Sequence, residues 1–167
     1  MSIETLFGSR TAITVPDVVS RDDAAAARER AVFSRYALLD RGSYDVAIPD
    51  EPALCAIAIE LARVATGRSL AVDDARMLRL VPGDYLLAHH DRVYDGFPVE
   101  VMLDLSPAPV PGAEVHYRRR GQAFFRAPCV PGSAAIVERG PTVTSNHTYV
   151  SKLHAGAVVV RLIVLLR

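Results

Sequence analysis

The hydrophobic pattern of the chain changes character near Asp74. Before it, apolar positions recur at helical spacing. "VPDVVSRDDAAAARERAVFSRYALLDRG" predicts a loop feeding a helix, with Ser20 as its cap and Asp23 reaching back in a capping box. The alanines, Glu29 and Arg30 favour that helix, and Gly42 is the expected stop. "EPALCAIAIELARVATG" predicts a second helix, capped by Asp50, with Pro52 in its first turn and Gly67 at its end. Leu54, Ile57, Leu61 and Val64 would form its apolar stripe. After Asp74 the period shortens. "ARMLRLV", "DYLLAH", "PVEVMLDL", "AEVHYR", "QAFFRA", "SAAIVE" and "AVVVRLIVLL" read as short strands, separated by Pro/Gly turns such as "VPGD" and "CVPGS". In the third of these, Val99, Val101, Leu103 and Leu105 share one face, and Glu100, Met102 and Asp104 the other. Short strands punctuated this way predict a mainly-β sandwich or barrel, with the two helices packed outside. No repeat or linker interrupts the pattern, so a single domain spanning 1–167 is expected, helical over about 20–67 and strand-rich over about 75–166.

Composition narrows the partners. Nineteen Lys and Arg balance nineteen Asp and Glu, so no net charge draws the chain to nucleic acid or to anionic lipid. The longest apolar stretch, "AGAVVVRLIVLL", is broken by Arg161 and is too short to span a bilayer. "MSIETLFGSR" is too polar and short for a secretory segment, and Cys55 and Cys129 read as buried free thiols. A cytoplasmic protein with no nucleic-acid or membrane partner, monomeric or homodimeric, is the expectation. The triplet Arg118–Arg120 reads as a solvated hairpin end before Gly121.

Candidate chemistry sits in "PGDYLLAHHDRVYDG" at 82–96. His89 and Asp91 are two residues apart, which on a strand aims both at one point and turns His90 away. "TVTSNHTYV" supplies His147 as a third donor. Two imidazoles and a carboxylate on one side of an octahedron form the facial triad of non-haem Fe(II), with catalytic zinc as the competing metal. A plain His–Asp hydrogen bond is the simpler alternative. His116 and His154 read as structural or exposed. Arg161 lies within "VVVRLIV", a central-strand pattern in which a guanidinium must be paired. It either makes a structural salt bridge or faces inward with positions 159 and 163 and clamps a carboxylate ligand.

These residues together resemble the 2-oxoglutarate/Fe(II)-dependent oxygenases, near the prolyl-4-hydroxylase-like branch. "RLVPGDYLLAHHD" matches that branch through Arg79, Gly83, His89 and Asp91, with Leu86 where a tyrosine is usual and Tyr85 beside it. "PGAEVHY" looks like the family's Gly-Gly-Glu turn, with Pro111 replacing the first glycine. The resemblance covers about 75–166. It implies a double-stranded β-helix (a jelly-roll, cupin-like), with Fe(II) on His89, Asp91 and His147. It also implies 2-oxoglutarate paired to Arg161, with Tyr85, Thr148 and Tyr149 as candidate second donors. The interval from His147 to Arg161 is fourteen residues, longer than in the compact pattern, and Ile163 stands where some relatives have Ser or Thr. The implied activity is hydroxylation of a small molecule, such as an amino acid or a biosynthetic intermediate, using O2 and releasing succinate and CO2. Desaturation, epimerisation and cyclisation use the same core. The alternatives are another cupin-type metal-dependent dioxygenase or isomerase, and a noncatalytic jelly-roll that binds a small molecule.

Overall fold

The computed structural model describes residues 2–88 and 91–167. The described residues include three helices: α1 (Ile3–Arg10), α2 (Arg21–Arg30) and α3 (Pro52–Thr66). The strands are β1 (Ala12–Val15), β2 (Ser34–Leu38), β3 (Gly42–Ala47), β4 (Val72–Leu80), β5 (Tyr85–Leu86) and β6 (Val99–Asp104). They continue with β7 (Val115–Arg119), β8 (Gln122–Ala127), β9 (Ala134–Glu138), β10 (Val143–His147) and β11 (Val159–Leu166). All pairings are antiparallel, in the order β1-β9-β6-β11-β4-β3-β5-β10-β7-β8, with β2 on β3. The sheet curls into a nearly closed barrel of the jelly-roll type, with the helices outside, as the strand pattern and the resemblance require. Among the described residues, no helix is long and apolar enough to cross a membrane.

The alternation in β6 separates two cores. Val99, Val101, Leu103 and Leu105 meet the helices, packing with Phe7, Ala27 and Ala58. Met102, on the other face, packs inside the barrel with Leu78, Leu80, Val115 and Tyr117. β11 does the same: Val160, Leu162 and Val164 face the helices, while Val159 and Ile163 face the interior. Each such fully buried aliphatic side chain contributes about 1.5–3 kcal/mol relative to exposure.

The helices differ from expectation in three respects. Ser20 does cap α2, accepting from Asp23 N at 3.0 Å while its hydroxyl bonds the Asp23 carboxylate. But α2 stops at Arg30, and residues 34–47 form the β2–β3 hairpin rather than running helical to Gly42. There Tyr36 stacks on Tyr44 across the pair, a contact only the pleated arrangement provides. Gly42 is a close-approach residue: a Cβ there would lie 2.9 Å from the Tyr85 carbonyl oxygen. In α3 the N-cap is Glu51 rather than Asp50, and Pro52 occupies the first turn. Its fully buried line is Leu54, Ala58, Ala62 and Ala65, with Ile57 and Leu61 of the expected stripe packed against the same core and Val64 38% exposed. α1 and β1, unmarked by any strong period, complete the N-terminal layer, with β1 pairing β9.

Candidate active site

Two strands carry the inward polar residues. β11 lies between β4 and β6, with Arg161 opposite Leu78 on one side and Asp104 on the other. With Val159 and Ile163 in the interior cluster, Arg161 points inward and is 1% exposed. The Thr, Ser and Asn content of β10 predicts no strand, yet it alternates cleanly. Val143, Ser145 and His147 are buried, while Thr144 and Asn146 face out. His147 sits directly opposite Leu86 of β5 and Val115 of β7.

The turn that delivers β5 is fastened to the segment after β10. Gly83 N donates to the Val150 carbonyl at 2.8 Å, and Val150 N donates to the Asp84 carbonyl at 2.9 Å. The Asp84 carboxylate accepts both Arg35 terminal nitrogens, the Ser43 hydroxyl and Val81 N. Burial pushes this carboxyl up, but the Arg35 fork and the other donors outweigh it and hold it below its ordinary value of 3.8. A depressed folded pKa stabilises the protein above the unfolded pKa, and that contribution is lost as pH falls through the folded value. Asp84→Asn is therefore expected to lower stability by about 1–3 kcal/mol at pH 7. The difference from wild type should shrink in urea titrations run below about pH 3.8.

His147 is buried, and burial first, then the charges of Arg161, Arg76 and Arg139, push its imidazole well below the ordinary range. It is neutral at physiological pH. Arg161 donates from one terminal nitrogen to His147 Nδ1 at 2.9 Å and from the other to the Ala113 carbonyl at 2.7 Å. Because guanidinium only donates, Nδ1 is the acceptor, and the neutral ring carries its proton on Nε2. Arg161 Nε has no partner among the described residues, and neither has Oδ2 of Asp104 on the facing strand. Burial pushes the Arg161 guanidinium down, and Asp104 opposes that.

Asp91 belongs to a second cluster. Its Oδ2 accepts from Arg139 at 2.5 Å and from Ser145 N at 2.5 Å. Arg139 also donates to the Glu100 carboxylate and to the Arg92 carbonyl at 3.2 Å. Tyr117 donates to the other oxygen of Glu100 at 2.8 Å. Burial opposes the Arg139 charge, but Glu100 and Asp91 hold the guanidinium above its ordinary range. One fully buried arginine thus ties the segment after β5 to β6 and β10. Ser145 and His147 are two residues apart on the inner face, roughly 6.6 Å along a strand. So Asp91 and His147 are neighbours on that wall, each paired to its own arginine.

His89, the remaining expected metal donor, lies outside the described residues, as does His90. Among the described residues, no three His, Cys, Asp or Glu side chains converge as a metal site. Tyr85 is not brought to the cluster. Leu86 takes the inward position of β5, so Tyr85 faces out, and its hydroxyl donates to the Leu39 carbonyl at 2.8 Å. Thr148 is engaged by the Glu114 and Gly112 backbone, and Tyr149 is half exposed. Glu100 carried a signal in the sequence, as a carboxylate on the inward face of β6. Arg139, at the end of β9 in "VERGP", carried none. A surface hollow of about 720 Å³ beside the start of α2, lined by Val19, Arg28 and Pro131, contains none of these groups.

No protein-family model matches the chain, and no curated protein is measurably similar to it in sequence. Solved structures are similar to it in fold. An oxidoreductase of the 2OG-Fe(II) oxygenase family from Burkholderia pseudomallei superposes with a TM-score of 0.73 at 11% identity, covering 98% of this chain and 88% of that one. A Pseudomonas putida prolyl-4-hydroxylase gives 0.71 at 16% identity, over 99% and 96% of the two chains. The non-haem alpha-ketoglutarate-dependent epimerase SnoN from nogalamycin biosynthesis gives 0.71 at 13%, over 99% and 81%. The likeness is one of fold, spread over oxygenases of different chemistry.

Proposed function

We propose that this chain is a 2-oxoglutarate- and Fe(II)-dependent oxygenase that hydroxylates a small molecule. The observation that carries the reading is the meeting of His147 and Arg161 inside the barrel. A neutral imidazole and a guanidinium with an unpartnered Nε share one hydrogen bond on the wall where Asp91 is also anchored. The donor chemistry fits the metal: a neutral imidazole, a carboxylate paired to a buried cation, and a barrel with the fold of solved oxygenases. His89, Asp91 and His147 would hold Fe(II), which when bound supplies the oxygen chemistry coupled to decarboxylation of 2-oxoglutarate to succinate and CO2.

The chain's own residues do the rest. Arg139 and Ser145 N fix one oxygen of Asp91. The apolar interior around Met102, Val115 and Ile163 excludes water. While Arg161 donates to Nδ1, the Nε2 proton blocks that nitrogen as a ligand. Release of Nδ1 by Arg161 lets the proton move there and frees the guanidinium for the distal carboxylate of 2-oxoglutarate. Metal and cosubstrate should therefore bind with positive coupling.

One observation favours a noncatalytic binding role instead: both described donors already have arginine partners. Anaerobic titration with Fe(II) and 2-oxoglutarate separates the readings. A weak visible charge-transfer band is expected with wild type. Arg161→Ala should need at least about tenfold more 2-oxoglutarate to develop it, the loss of a charge-assisted hydrogen bond. Metal retention without response to 2-oxoglutarate would point to another cupin-type metal enzyme. Failure to retain metal at all would leave the binding role.

A further inference from the structure

Six arginines are buried or half-buried among the described residues: Arg28, Arg76, Arg79, Arg118, Arg139 and Arg161. Five are held. Arg28 donates to the Leu105 carbonyl, Arg79 to Asp45, Arg118 to Asn146, Arg139 to Asp91 and Glu100, and Arg161 to His147 and Ala113. Arg76 has no hydrogen bond and no ion pair among the described residues. Its place in the fold makes this unusual. β4 alternates so that Leu78 and Leu80 enter the interior cluster, and Arg76 shares their face. It pairs in register with Ile163, two residues beyond Arg161 on β11 and also in that cluster. A half-desolvated guanidinium without a counter-charge is an unfavourable arrangement for a structural residue.

Its surroundings are phenolic. Tyr44, on the inward face of β3, and Tyr94, in the segment that follows Asp91, both feel the Arg76 charge, as does His147. Burial raises both phenols, and Arg76 opposes it. Neither hydroxyl has a hydrogen-bond partner among the described residues. Arg76 and the two phenol hydroxyls, none with a hydrogen-bond partner among the described residues, would together make a receptor for a planar anion. A single guanidinium fork matches one carboxylate.

We infer that Arg76 is the specificity residue of this barrel: it binds a carboxylate carried by the small-molecule substrate, separately from the carboxylate of the cosubstrate at Arg161. That the carboxylate belongs to a substrate rests on the oxygenase reading above; the anion site itself does not.

The test uses the full chain without added metal and ligand-observed NMR, with benzoate against benzamide and L-phenylalanine against L-phenylalaninamide as probes. Wild type should bind each acid at least about fivefold more tightly than its amide, within the range of a charge-assisted hydrogen bond. Arg76→Gln should reduce that ratio below about two, and Arg76→Lys should restore part of it by charge alone. The 2-oxoglutarate titration of the Fe(II)-loaded Arg76→Gln protein should stay within about twofold of wild type. Because no described structural partner is lost, the urea midpoint of Arg76→Gln should equal or exceed that of wild type. No acid–amide discrimination in wild type overturns the inference. So does discrimination that survives Arg76→Gln or is removed by Arg161→Ala instead, and so does a lowered urea midpoint. Discrimination that depends on Arg76 in a protein forming no Fe(II)–2-oxoglutarate band would sink the oxygenase reading and leave the anion site standing.

Discussion

Arg139→Met should destabilise the protein by about 3–5 kcal/mol, enough to unfold a marginal domain. The reason is what the substitution leaves behind. Glu100 and Asp91 have side chains 3% and 1% exposed, and Arg139 is the cation that neutralises both. Without it, two carboxylates share a dry interior, and Tyr117 still donates to one of them. The arginine is not stabilising in the sense that a well-packed leucine is, because its own desolvation offsets much of its attraction. The discriminating measurement is therefore the triple variant Arg139→Met/Asp91→Asn/Glu100→Gln. Urea unfolding should show it recovering more than half of the loss, since no uncompensated charge remains. A triple variant as unstable as the single one would mean that the arginine acts through packing instead, against the Tyr94 and Tyr117 rings it lies over.

His147→Gln should abolish metal-dependent stabilisation while leaving the fold within about 1.5 kcal/mol of wild type. Glutamine keeps a carbonyl oxygen to accept from Arg161 but removes the imidazole. With a metal at about one hundred times its dissociation constant, a wild-type site gains about 2.7 kcal/mol. For a domain of this size that raises the melting temperature by roughly 5–10 °C. The variant should show no such rise with Mn(II) or Co(II) in a thermal scan. A rise equal to that of wild type would place the cation elsewhere in the molecule and remove His147 from the proposed ligand set.

The outer architecture was legible because its signals are local. Ser20 and Asp23 stand three apart at a helix start, and the alternation from Val99 to Leu105 separates helix-facing from interior residues without reference to anything distant. The same rule puts Arg161 on one face with positions 159 and 163 and leaves open whether it is salt-bridged or turned inward; the structure turns that face inward. What was not legible depends on contacts across the barrel. The β2–β3 hairpin follows a segment of strong helix formers, and its strand state is set by pairing with β4 and β5, which no local propensity encodes. Tyr85 is a candidate by its place beside a motif, but one position of register puts it on the outer face. Arg139 is beyond reach of any pattern: its partners lie 39 and 48 residues away. Arg76 is the converse case, visible only as the inward arginine with no hydrogen bond or ion pair among the described residues.

The position of β11 constrains the order in which this molecule is made. It follows every other described strand in sequence, yet it lies between β4 and β6 and joins them through fourteen residue pairings on its two sides, Val159–Leu166 against one and Arg161–Leu166 against the other. Until residues 159–166 leave the ribosome, β4 and β6 have bare edges where their shared neighbour belongs, and the helix-facing core lacks Val160, Leu162 and Val164. The barrel can therefore close only through this non-local pairing, a step that comes after residues 159–166 are synthesised and that slows folding.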